Sequence, residues 1–115
     1  MELTGNTLTD FWIWYLLPKQ RKTYKTNSLR GGDNVAKIRF LAMSFAERYG
    51  VFVDYFDSVG NRITINAGVS QFWVDIYTDL LKDISWDSEM LDTRKEAIDV
   101  AVEKANELRN EVLNK

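Results

Sequence analysis

The side chains of this chain able to do chemistry are acids, bases and hydroxyls, because histidine and cysteine are both absent. That removes thiolate nucleophiles, cysteine-ligated zinc and disulfides, together with the commonest general base and the commonest metal ligand. Four aspartates, Asp54, Asp57, Asp75 and Asp79, stand in or beside segments that read as strands. On neighbouring strands and one face, Asp54 and Asp75 would offer oxygen ligands to Mg²⁺ or Ca²⁺. The plainer reading leaves Asp54 in solvent and uses Asp57 to hold a turn through backbone amides. A paired-carboxylate hydrolase needs one acid in a dry pocket, and no sequence feature marks one. Ser58, within Asp57-Ser58-Val59-Gly60, lacks the flanking glycines and following helix of a nucleophile elbow. The expectation is a non-enzyme with no catalytic residue, no metal site and no cofactor.

Two other groups of residues suggest binding. Lys19, Arg21, Lys22, Lys25 and Arg30 occur between residues 19 and 30 with no acid among them. Such an arm can neutralise phosphates and release counterions, or serve as a solvated linker. Arg94 and Lys95 offer a second basic step. Net charge is only −2, but residues 1–50 hold eight Lys/Arg against four Asp/Glu and residues 51–115 hold seven against thirteen. The four tryptophans are Trp12, Trp14, Trp73 and Trp86. Tryptophan dominates protein-interface hot spots and also stacks on bases. Trp12, Trp14 and Trp73 are the candidate protein-interface residues; Trp14 and Trp73 oppose the apolar stripe of their own elements and are expected to be exposed.

The elements that must position these residues follow from hydrophobic periodicity. With 115 residues, 45% of them hydrophobic, the chain is expected to form one domain spanning residues 1–115. Leu8, Phe11, Trp12 and Tyr15 mark a helix over 8–17, closed by Pro18. Ile13, Trp14 and Leu16 make it apolar on its other faces too, so part of it is a candidate interface. Residues 18–33 read as a basic mobile loop. A second helix over 34–49 carries Val35, Ile38, Leu41, Phe45 and Tyr49, with Gly50 as its left-handed exit. Val51–Phe56 then reads as a strand, 57–61 as a turn, and 62–66 and 71–77 as two more strands. The result is a three-stranded antiparallel meander, with Ile84-Ser85-Trp86 as a candidate fourth edge strand. Thr93-Arg94-Lys95-Glu96 is a capping box opening a long helix that buries Ala97, Ile98, Ala101, Val102 and Ala105 on the sheet. The fold class is α+β: two N-terminal helices, the meander and the C-terminal helix.

The segment Tyr49-Gly50-Val51-Phe52-Val53-Asp54-Tyr55-Phe56-Asp57-Ser58-Val59-Gly60 is distinctive. With Thr93-Arg94-Lys95-Glu96-Ala97, Glu103-Lys104-Ala105-Asn106-Glu107-Leu108 and the opening Leu3-Thr4-Gly5, it resembles a group of small uncharacterised bacteriophage and prophage proteins. The resemblance covers about two thirds of the chain and implies a mobile-element origin; it carries no site residues. The α-β-β-β-α order also resembles the double-stranded-RNA-binding domain, whose last helix opens with a basic cluster. Arg94 and Lys95 hold a comparable place, although residues 93–115 carry five acids against five bases.

The functional expectation is a phage or prophage accessory protein that binds a protein partner or itself, as a homodimer through the Phe11–Leu17 helix. It would act stoichiometrically, inhibiting or redirecting a host or defence factor. The alternative is nucleic-acid binding through Lys19, Arg21, Lys22, Lys25 and Arg30, aided by Arg94 and Lys95. The longest apolar run, Phe11–Leu17, is too short to span a bilayer and lacks signal-peptide flanks, so no membrane is expected and the host cytoplasm is the expected location.

Overall fold

A computed structural model describes residues 1–24, 32–78 and 84–115. Five helices and three strands follow in chain order: α1 (Gly5–Tyr15), α2 (Pro18–Thr23), α3 (Gly32–Leu41), α4 (Phe45–Ser58), β1 (Asn61–Ala67), β2 (Phe72–Thr78), β3 (Ile84–Asp87) and α5 (Arg94–Leu113). The strands form one antiparallel sheet in the order β1-β2-β3. The α+β class, the three-stranded antiparallel sheet and the long C-terminal helix packed on it are as the periodicity predicts. The anticipated edge strand around Ile84 is real, and it is the third strand rather than a fourth.

The reason is that Val51–Phe56 is not a strand. It belongs to α4, which runs straight through Gly50. Val51, Phe52, Tyr55 and Phe56 are all buried. Adjacent residues such as Val51 and Phe52 cannot share one face of a strand, but they can share the broad apolar stripe of a helix. The start of α4 is also written locally. Ser44 accepts from the Glu47 amide at 3.2 Å while the Glu47 carboxylate accepts from the Ser44 amide at 3.3 Å. This reciprocal cap divides the expected 34–49 helix into α3 and α4. The left-handed exit falls instead at Gly60, with φ 85°, between α4 and β1.

Alternation sorts the sheet into two faces. Val74 and Ile76 of β2 are completely buried, and they pair with Ile65 and Ile63 of β1. That face receives α5 and α4: Ala97, Ala101, Val102 and Ala105 join Val74 and Ile76 in one core. Small residues on α5 let its backbone lie close to the sheet. On the far side of the helix layer, α1 crosses α5 and α4, and Phe11 centres an aromatic cluster. Its ring lies 5.1–6.0 Å from those of Trp12, Trp14, Tyr15, Phe40, Phe52 and Tyr55. The stripe that α1 buries is Thr7, Phe11 and Tyr15, one residue round from the expected Leu8 stripe. Leu8 is thereby left at the surface.

The N-terminus of α1 is held from the other end of the chain. Thr4 makes no side-chain cap of its own. Instead Asn106 Oδ1 accepts from the Thr4 amide (2.9 Å), and Asn110 Oδ1 accepts from the Thr7 amide (2.8 Å). Their amide groups donate to Thr4 Oγ1 (2.9 Å) and to the Thr4 carbonyl (3.1 Å). Gly5, at φ 62°, sits against this clamp: a Cβ there would meet the Asn110 amide at 3.1 Å. The Leu3-Thr4-Gly5 and Glu103–Leu108 segments, distant in sequence, thus meet at one joint. Beside it Asp10 accepts from Tyr55 Oη at 2.6 Å and from Arg109 Nη2 at 3.2 Å, fixing α1 to both α4 and α5.

Candidate functional site: an apolar groove between α1, α3 and α4

Displacing the α1 stripe towards Thr7 leaves Leu8 and Trp12 facing α3 across a groove of about 260 Å³. Its floor is Phe11, Phe40 and Phe52 from the aromatic cluster, and its rim includes Leu8 and Leu41. Leu41 is 61% exposed, and Ile38, one turn earlier on α3, is 65% exposed and extends the apolar rim. Trp12 is half-buried, packed edge-on to Phe40 with the Lys37 ammonium 5.4 Å from its ring centre. Arg48, from the first turns of α4, and Glu2, from the segment before α1, supply the groove's charged side chains. The Arg48 Nε is buried and has no hydrogen-bond partner among the described residues. An unpaired buried donor costs about 1–3 kcal/mol, which an acceptor in the groove offsets only when the guanidinium turns towards it. The arrangement suits an apolar group that brings a carboxylate or carbonyl oxygen with it.

The three tryptophans expected at an interface lie in different places. Trp12 lines the groove. Trp14 is half-buried and packs at tilted and edge-on angles among Phe11, Tyr24 and Tyr55, so it is largely committed to packing. The exposed apolar residue of that helix face is Ile13, at 64%, followed by Leu17. Trp73 is half-buried on the other face of the sheet, away from the helices. Leu8, Ile38 and Leu41 belong to stripes whose periodicity predicts a buried face and are exposed instead, while no sequence feature marks Arg48. The division at Ser44 was the available signal, because it frees α3 to stand apart from α4 and open the groove.

The basic residues are not gathered into one patch. Lys19, Arg21 and Lys22 fall on the short helix α2, where Arg21 donates from Nε to the Leu16 carbonyl at 3.1 Å and pairs with Asp33. Lys25 and Arg30 lie outside the described residues. Arg94 and Lys95 rest over the rings of Phe72 and Phe45, at 5.1 and 5.5 Å. They open α5 about 22 Å along its axis from Arg109, where α1 crosses. The sheet is preceded by α4 and followed by α5, in the order α4-β1-β2-β3-α5. The exposed side of α4 carries Glu47, Asp54 and Asp57, and Asp92 and Glu96 flank Arg94 and Lys95. These carboxylates would meet phosphates unfavourably.

Asp54 and Asp75 are not on neighbouring strands, so the metal-ligand pairing weighed against the solvent-exposed reading does not form. Asp54 is on α4 and accepts from Tyr24 Oη, Asp57 is in the last turn of α4, and Asp79 lies outside the described residues. Among the described residues no group of three acids is placed to hold a metal ion. Three tyrosines have shifted acidities. Burial, then the Asp54 bond, pushes Tyr24 up; burial, then the Asp10 bond, pushes Tyr55 up; burial pushes Tyr49 up to about 12. Each shift keeps the phenol protonated, opposite to the activation a phenolate nucleophile or base needs. Among the described residues no helix is long and apolar enough to cross a membrane.

No protein-family model, curated protein or solved structure matches this chain.

Proposed function

We propose that this chain is a non-enzymatic binding protein that seats a segment of a partner protein in the α1–α3–α4 groove. The partner contributes an apolar side chain to the Phe11, Phe40 and Phe52 floor and an acidic side chain to Arg48. The single observation carrying this reading is the buried, unpartnered Arg48 Nε in a groove whose lining is apolar apart from Arg48 and Glu2 and whose rim includes exposed Leu8 and Leu41. Binding is stoichiometric, and the resemblance to phage and prophage proteins supports a role in inhibiting or redirecting a host or defence factor in the host cytoplasm.

The test is selection of a displayed random peptide library on the wild-type protein, with Leu41→Glu as counter-target. Enriched peptides should combine a large apolar residue with Asp or Glu. They should bind Leu41→Glu at least tenfold more weakly. Arg48→Ala should weaken them about 10- to 100-fold, the equivalent of losing one charge-assisted hydrogen bond. Peptides that bind all three proteins equally would overturn the proposal. So would an empty selection accompanied by salt-sensitive binding of RNA or DNA, which would move function to the basic residues of α2 and the segment after it.

A further inference from the structure

The two walls of the groove repeat at the spacing of a helical turn. Leu8 and Trp12 stand four residues apart on α1, and Ile38 and Leu41 three apart on α3. Each pair therefore shares one face of its helix, with about 5–6 Å between its members. Ile38 is 65% exposed and lies outside the lining of the 260 Å³ cavity, one turn along α3 from Leu41. Backbone chemistry decides what fits between these walls. Both are helical, so their amides and carbonyls bond along their own axes, and no described β-strand lines the cavity. An extended segment lying between α1 and α3 would press its own amides and carbonyls against apolar side chains without partners, at a large desolvation cost. A helix satisfies its backbone internally and presents side chains alone. Its apolar residues recur at the same three- and four-residue spacing as the walls, so its ridges seat between theirs.

We infer that the occupant of the groove is an amphipathic helix of the partner protein, laid between α1 and α3 along more than one of its turns; this rests on the groove reading above and specifies the form of what binds there. Charge complementarity places its polar residues. An acid faces Arg48, and a basic or neutral residue, rather than a second acid, faces Glu2, the other charged side chain of the lining. The contact with Ile38 separates this occupant from a lone apolar side chain, which would fill the cavity without reaching that residue.

Two displayed peptide libraries test it. One randomises positions i, i+3, i+4 and i+7 of an Ala/Lys/Gln frame among apolar and acidic residues. The other randomises positions i, i+2, i+4 and i+6 of a Thr/Pro frame among the same residues. The helical frame should yield the binders, and these should bind Leu41→Glu at least tenfold and Ile38→Glu several-fold more weakly. Both side chains are exposed, so the two variants should keep the wild-type circular dichroism and urea midpoint. Proline in the middle turn of an enriched peptide should weaken it at least tenfold. A lactam bridge from i to i+4 should tighten it several-fold, because the helix is then formed before binding. Binders from the extended frame that lose affinity for Leu41→Glu would overturn the helix and leave the groove standing. So would a proline-substituted peptide that binds as well as its parent, or an enriched peptide indifferent to Ile38→Glu. Peptides indifferent to Leu41→Glu, or no binder from either frame, would overturn groove and helix together.

Discussion

Substituting Gly5 and Asn110 singly and together measures the joint that holds α1. Asn110→Ala removes two hydrogen bonds, at 2.8 and 3.1 Å, from the first turn of that helix. At about 1 kcal/mol each, the loss is about 2 kcal/mol, with the Thr7 amide then unsatisfied beside a buried side chain. Gly5→Ala places a side chain at φ 62°, which costs about 1–2 kcal/mol. Its Cβ would also press on the Asn110 amide at 3.1 Å and displace the same two bonds. The single Gly5→Ala variant should therefore lose about 3 kcal/mol. In the double variant the Cβ meets no amide and the bonds are already gone, so only the backbone strain is added. The total should be about 3–4 kcal/mol, some 1–2 kcal/mol less than the sum of the single effects. Urea denaturation followed by tryptophan fluorescence suits the measurement, because Trp12 and Trp14 are on α1 and the comparison needs only midpoints at constant slope. Additivity to within about 0.5 kcal/mol would refute the reasoning, since it would mean that Gly5 and Asn110 do not share the joint.

Further outcomes follow from other residues. Gly50→Ala should stabilise the protein by about 0.5–1 kcal/mol, because Gly50 is inside α4, has no positive φ, and has open space where a Cβ would go; a loss in thermal midpoint would restore the left-handed helix exit expected there. Tyr55→Phe should cost about 2 kcal/mol by removing the bond to the Asp10 carboxylate, read by the same denaturation assay. Tyr24, Tyr49 and Tyr55 all have raised folded-state pKa values, so their contribution is fully present below about pH 10, the unfolded value, and is lost as pH rises through the folded ones. Stability should accordingly fall steeply above about pH 10, and less steeply in Tyr55→Phe.

Much of the architecture is legible in the sequence, and its misplacements have identifiable causes. The stripe of Ala97, Ile98, Ala101, Val102 and Ala105 is long enough to distinguish a period of 3.6 from one of 2, so α5 reads correctly from residue types alone. Ile63 and Ile65, facing Val74 and Ile76, are equally clear because alternation persists on both strands. Val51–Phe56 is too short and too uniformly apolar for periodicity to decide, and its valines and aromatics favour a strand by composition. Two local signals point the other way: the Ser44-Phe45-Ala46-Glu47 cap, and Glu47, Asp54 and Asp57 at helical spacing. The groove is less legible still. It depends on α1 turning Thr7 rather than Leu8 inward, and that rotation is set by Asn106 and Asn110 about a hundred residues later. Trp14 looked outward because a helix apolar all round has no marked inner face; the ring packing of Tyr24 and Tyr55 decides it.

The central claim is that Arg48 receives an acid carried by an apolar segment. Its most direct test is a double-mutant cycle across the interface, using a peptide selected on the groove. Arg48→Ala and replacement of the peptide's acidic residue by its amide are each titrated calorimetrically, then combined. The account predicts that either change alone weakens binding about 10- to 100-fold and that the second adds little once the first is made, a coupling of about 1.5–3 kcal/mol. Independent, additive losses would contradict it, because the carboxylate would then be contacting something other than Arg48.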